Sequence, residues 1–309
     1  MELLLTGPPG PLLGFAERLI IAVAEAAGHP APTLRHHDPI VEDVAVADAV
    51  RNGDLCAVVV IGDPVSCLAA LVGSGHTPQE AARTLSAAAA PLAVWADWMT
   101  VRLRPDMTIG EATAAILGGM GIAAGTAPAA RITGWDAASS LADVAASLAD
   151  PAPDVSGRAA EVQTLAHEVV GPLFAAAITG VRQAVTWSRA CLFWGDHPGE
   201  KLPRIVDLTG PARVLAYGPY FHLPPGGWTV RATLAFSPAA VGAPFAVELH
   251  SDVLLGRGRF KPGAAGVFAA SFPAEVRSAH VANEIRVVTE IGAIDGEIGV
   301  DHILLIPRA

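Results

Sequence analysis

A chain of 309 residues is long enough for two domains, because single cores stop growing at about 250–300 residues. Its 52% hydrophobic content is never gathered into a run of about 18 uninterrupted apolar residues, so no membrane span is expected. The formal charge of −10 falls wholly in the first half: residues 1–155 carry 7 arginines and no lysine against 17 acidic residues, while 156–309 carry 13 of each sign. An acidic half lacks the clustered cations that displace counterions from nucleic acid.

In chain order, Glu2 to Thr6 is a short apolar strand, and Gly7-Pro8-Pro9-Gly10-Pro11 is a turn. Leu12 to Ala27 has helical spacing and ends at Gly28. The start of the chain lacks the basic stretch and cleavage site of a signal peptide. Three scattered cysteines (Cys56, Cys67, Cys191) match no zinc or disulfide pattern, so a cytoplasmic protein with reduced thiols is expected. His36-His37-Asp38, followed by Pro39, reads as a polar turn. Leu55 to Ile61 is a near-continuous β-branched run, as in a parallel strand buried on both faces. Val65 to Val72 can start a helix. Thr77-Pro78-Gln79-Glu80 combines a cap, a proline at the first position and an acid three residues after the cap, predicting a helix to about Ala90. Trp95 and Trp98 share a face if helical, which favours packing over binding. Further helices are predicted over Ile109–Leu117, from Trp135-Asp136 to Leu148, and from Arg158 to Gln183 with a bend at Gly171-Pro172.

From Arg204 onward short alternating runs recur about every ten residues: Arg213–Tyr217, Trp228–Phe236, Phe245–Leu249, Val253–Arg259, Gly266–Phe272, Glu284–Thr289 and Gly296–Ile306. This is the pattern of an antiparallel β-sandwich or jelly roll. The expected fold class is α+β in two domains. An acidic α/β domain spans 1–150, a linker (Asp150–Asp154) and connecting helix 151–203, and a sandwich 204–309.

Gly218-Pro219-Tyr220-Phe221-His222-Leu223-Pro224-Pro225-Gly226-Gly227-Trp228 leads into a long strand, and Val300-Asp301-His302-Ile303 lies in the last one. On these pieces the C-terminal half resembles the carbohydrate-binding jelly rolls attached to glycan-active enzymes. The resemblance implies a glycan ligand, with aromatics stacking on the apolar C–H faces of sugar rings and polar groups meeting the hydroxyls. Trp194, Tyr217, Tyr220, Phe221 and Trp228 are candidates for the first role, and Asp196, Arg213, His222 and Glu248 for the second. Trp228 shares a period-two face with Val230, Ala232 and Leu234, which assigns it to the core. Such modules often hold calcium; Asp301, Glu248 and Asp252 could contribute, although nothing forms a dedicated calcium loop. Phe193-Trp194-Gly195-Asp196-His197-Pro198-Gly199-Glu200 reads as a hinge or as the lining of a groove.

The N-terminal strand, glycine-rich turn and helix resemble a phosphate-binding loop, and Ile61-Gly62-Asp63-Pro64 resembles the strand end of P-loop sulfotransferases. The resemblance implies a phosphate contact by an arginine, where Gly62 stands, and by a serine, for which Ser66 is a match. The turn has no lysine, and its three prolines each remove an amide donor. A degenerate P-loop-like domain without its anion site is one reading, and a generic doubly wound domain the other. No catalytic residue, cofactor or metal site is expected. The preferred function is non-catalytic glycan binding or scaffolding linked to polysaccharide synthesis, with a protein partner or self-association. The alternatives are a sulfotransferase-like or other glycan-modifying transferase, and an assembly protein that binds no sugar.

Overall fold

A computed structural model describes residues 2–98, 100–122, 135–148 and 155–308. The chain divides into two compact units, Met1–Val181 and Arg182–Ala309. The expected linker Asp150–Asp154 lies outside the described residues. The rest of the 151–203 segment is shared: its helices belong to the first unit, and 182–203 supplies strands to the second.

The first unit holds strands β1 (Glu2–Thr6), β2 (Thr33–His37), β3 (Cys56–Val60) and β4 (Thr100–Leu103) in one parallel sheet of order β2-β1-β3-β4. Its helices are α1 (Pro11–Ala26), α2 (Val44–Asn52), α3 (Pro64–Gly73), α4 (Pro78–Val94), α5 (Ile109–Gly119), α6 (Leu141–Leu148), α7 (Ala159–Leu165) and α8 (Gly171–Thr179). Leu3, Leu5, Val58 and Val60 pack with α1, α5 and α6. Leu4, Ala57 and Val59 are equally buried, and strand alternation turns them to the opposite face. Burial on both faces explains why β1 and β3 read as unbroken apolar runs.

Local signals set several boundaries. The capping box at Thr77 forms as expected, with Glu80 N–H donating to Thr77 Oγ1 at 3.2 Å and Thr77 N–H to Glu80 Oε2 at 2.8 Å. Trp135-Asp136 does not open a helix. Asp136 accepts Ala138 N–H within a turn, and α6 begins after Ser140, whose hydroxyl accepts Asp143 N–H. His36 and His37 are strand residues at the end of β2, not a turn. The long helix ends at Thr179 rather than Gln183, because Gly180 takes a left-handed cap (φ 73°). Its predicted bend is a π-helical turn over Ala166–Val170, just ahead of Pro172. A proline there would strike the carbonyl of residue 168 in a regular helix, and widening the turn avoids that.

The second unit contains β5 (Val185–Ser188), β6 (Phe193–Trp194), β7 (Val206–Asp207), β8 (Val214–Phe221), β9 (Gly226–Phe236), β10 (Phe245–His250), β11 (Leu254–Phe260), β12 (Gly266–Val276), β13 (Asn283–Thr289) and β14 (Glu297–Pro307). They form two antiparallel sheets, β11-β10-β13-β8-β6 and β12-β9-β14-β5, with β7 on β14. The β9 residues Trp228, Val230, Ala232, Leu234 and Phe236 are all buried, as period two required. Across the core, Phe236 meets Phe245 with ring centroids 5.0 Å apart, and Trp187 meets Phe221 edge-on at 6.1 Å. Stacking two inner apolar faces gives the unit its sandwich.

Candidate functional site

The outer face of the β11-β10-β13-β8-β6 sheet carries the candidate site. On β13, Ile285 and Val287 point into the core, so Glu284 and Arg286 between them point out. Cross-strand register puts Arg257, Glu248, Arg286, Tyr217 and Phe193 in one row over all five strands. At about 4.8 Å per strand the row is about 19 Å long.

Tyr220 enters this face through a bulge. Asn283 pairs with Phe221 and Glu284 with Pro219, which leaves Tyr220 as an extra residue on β8. It takes a left-handed backbone, φ 69°, rare for a bulky side chain and costing about 1–2 kcal/mol. A bulge re-aims a side chain. Here it turns the Tyr220 ring toward Tyr217 (centroids 6.3 Å apart, edge-on) and its hydroxyl onto Glu284.

Polar contacts fix both tyrosines. The Tyr217 hydroxyl accepts Gly199 N–H at 3.1 Å, and its ring stacks on Phe193 at 5.5 Å. Glu284 is 5% exposed and accepts Arg286 Nε–H at 2.6 Å. Burial, then the Glu284 hydrogen bond and charge, push the Tyr220 phenol up to about 12. Farther along the face, Glu248 accepts from Arg257 Nε at 3.0 Å and pairs with His250 Nε2 at 2.8 Å, while Glu290 joins Arg257 and Arg259. Tyr217 and Tyr220 are half-buried, and the Arg286 side chain is 41% exposed. The face therefore offers immobilised aromatic rings next to charged donors and acceptors.

The other sequence candidates lie elsewhere. Phe221 is fully buried against Trp187, so it is a core residue and not a ligand contact. Trp228 is also core, with Nε1–H donating to the Pro224 carbonyl and the Arg182 guanidinium over its ring. Trp194 pairs with Ala216, next to Tyr217 on β8, and alternation turns it away from the tyrosines; its ring rests on His197, and its buried Nε1 finds no hydrogen-bond partner among the described residues. Arg213 and Asp196 form a bidentate pair at 2.6 and 3.2 Å. The Arg213 guanidinium also donates to the Asp207 carbonyl, so the pair pins loops instead of facing outward. His222 Nδ1 bonds the Ala279 carbonyl at 2.8 Å, and burial lowers its pKa. Asp301 sits at a bulge in β14 and pairs with His302. Among the described residues no three His, Cys, Asp or Glu side chains converge as metal ligands.

Glu284 and Arg286 escaped the sequence reading although their signal was present. They are the polar alternates of a strand read only for its apolar half.

In the first unit the turn after β1 meets the end of β3, where a sheet of this order has its switch point. A Cβ on Gly10 or Gly62 would lie 2.5 or 2.7 Å from Cys67 Sγ, so this thiol fills the space beside both turns. Asp63 caps α3 by accepting Ser66 N–H and Oγ–H, both at 2.8 Å. Ser66 is thus held by a carboxylate, and the phosphate-binding resemblance finds no support. Among the described residues no helix is long and apolar enough to cross a membrane.

No protein-family model matches the chain, and no curated protein matches it. Among solved structures, the neighbours over the C-terminal part are carbohydrate-binding modules. The chain is similar to the CBM36 module in complex with calcium and xylotriose (14% identity, 39% of this chain, 98% of that one, TM-score 0.26). It is similar to the CBM6 module of Cellvibrio mixtus lichenase 5A in complex with cellotriose (9% identity, 40% and 100%, TM-score 0.27), and to a CBM35 module from Cellvibrio japonicus (12% identity, 41% and 94%, TM-score 0.27).

Proposed function

We propose that the second unit is a non-catalytic glycan-binding module whose ligand lies across the outer face of the β11-β10-β13-β8-β6 sheet. The observation that carries this reading is the bulge that sets Tyr220 beside Tyr217 and over the Glu284–Arg286 pair. Sugar rings combine apolar C–H faces with hydroxyls that need fixed partners. Tyr217 supplies the apolar contact with little entropy left to lose, because its ring is already stacked and its hydroxyl already bonded. Arg286 and the Glu248–His250 pair, on the same face, supply donors and acceptors. The row is long enough for a short oligosaccharide.

The wider reading is a binding or scaffolding role in polysaccharide synthesis inside the cell. Its support is the acidic first unit, with Val41 and Val44 exposed beside β2 for protein contact, and three free cysteines, as a reducing compartment favours. A glycan array followed by calorimetry on the best hit tests the module. Tyr217→Ala should weaken binding at least tenfold with the circular dichroism unchanged. Equal binding by wild type and Tyr217→Ala would sink the proposal.

A further inference from the structure

At one edge of the sandwich lies a cavity that the proposed glycan face does not use. Strand β11 closes onto β12 where it has no side chains to interpose: a Cβ on Gly256 would lie 2.5 Å from the Pro273 carbonyl, and one on Gly258 2.8 Å from the Phe272 ring. Beyond Phe260 the chain turns through Lys261-Pro262-Gly263 into β12. The cavity measures about 190 Å³ and is lined by Leu234, Phe236, Phe260 and Phe268 with the Lys261–Gly263 turn. Phe236 is its aromatic hub, 5.9 Å from Phe260 and 6.3 Å from Phe268. Phe268 is 41% exposed, so the cavity is open to solvent on its side.

The chemistry of the lining selects a ligand class. Its walls are aromatic rings, Leu234, Pro262 and alanines, and among the described residues the one ionisable group in its lining is Lys261. Lys261 is exposed, and its side chain makes no ion pair or hydrogen bond among the described residues. A cavity of about 150 Å³ lined by such side chains holds benzene, so this one has room for a ring and a small substituent. An unpaired ammonium at the edge of such a space attracts a carboxylate and repels a cation.

We propose that this cavity is a second binding site of the chain, taking a small aryl carboxylate with its ring among Phe236, Phe260 and Phe268 and its carboxylate on Lys261. The test uses the full chain, amide NMR spectra, phenylacetate as probe and 2-phenylacetamide as its neutral isostere. Saturable shifts at Phe236, Phe260, Lys261 and Phe268 are expected with phenylacetate. Lys261→Met should weaken phenylacetate about tenfold and leave 2-phenylacetamide unchanged. Phe268→Ala should weaken both, and Tyr217→Ala neither. Absence of saturable shifts, or equal affinity for acid and amide, overturns the proposal. A concentration-dependent dimer by sedimentation that covers Phe268 and Val267 overturns it too, since a second copy would then be the occupant.

Discussion

Ionisation of Tyr220 gives a direct measure of the candidate site. The chain has two tyrosines, so absorbance of tyrosinate near 295 nm reports on Tyr217 and Tyr220 alone. Glu284 is buried, already negative and bonded to the Tyr220 hydroxyl, so a second negative charge there is opposed by lost solvation and by repulsion. A rise from the ordinary 10 to about 12 corresponds to about 2.7 kcal/mol if fully expressed. Tyr220 is half-buried, and screening reduces its worth to about 1 kcal/mol. The sign follows from proton counting. Between pH 10 and 12 the unfolded chain releases this proton and the folded chain keeps it. The stabilisation is therefore whole below pH 10 and is lost as pH rises through 12. A pH-jump titration of the folded chain should show one late tyrosinate transition, absent in Tyr220→Phe and moved to lower pH in Glu284→Gln. If Glu284→Gln leaves that transition in place, the account of Tyr220 as held over a buried carboxylate is wrong.

Three further outcomes follow from local geometry. Gly7→Ala would drive a Cβ into the Val60 carbonyl and should destabilise by at least about 2 kcal/mol, whereas Gly14→Ala, with open space inside α1, should stabilise by about 0.5–1 kcal/mol; denaturant midpoints separate the two. The Cys67 thiol, raised to about 12 by burial and by Asp63, should resist alkylation in the folded chain while half-buried Cys56 reacts, as mass spectrometry of labelled peptides would read. His222 has its pKa lowered by burial, so its contribution is present above the unfolded value near 6.5 and lost as pH falls. Replacing it with Gln should flatten the acid limb of the stability profile, and an unchanged limb would rule out this role.

Much of the architecture was legible because it rests on short-range rules. Apolar runs at β1 and β3, the capping box at Thr77 and the alternating strands from Val214 onward are each written within a few residues. β2 was missed because Thr33–His37 is polar and sits at the sheet edge, where burial imposes no pattern. β4 was missed because four residues, Thr100–Leu103, are too few to show one. The segment around Tyr220 was legible as a place of interest but not as a geometry. Sequence grouped Tyr217, Tyr220, Phe221 and His222 by proximity along the chain, and the fold sends them in different directions.

By itself, then, the sequence determined the apolar strands β1 and β3, the capped start of α4, the alternating strands of the second unit and the core role of Trp228, because hydrophobic periodicity and turn chemistry act locally. Only the tertiary structure decided which aromatics face outward. That choice depends on a bulge opposite Glu284, and a bulge exists only when β8 is paired with β13, more than sixty residues away. It likewise decided that Arg213 and Asp196 hold each other and that Cys67 fills the space beside Gly10 and Gly62. The Tyr220 bulge, the Arg213–Asp196 pair and the approach of Cys67 to Gly10 each join groups well apart along the chain, and no local pattern encodes which distant group will arrive.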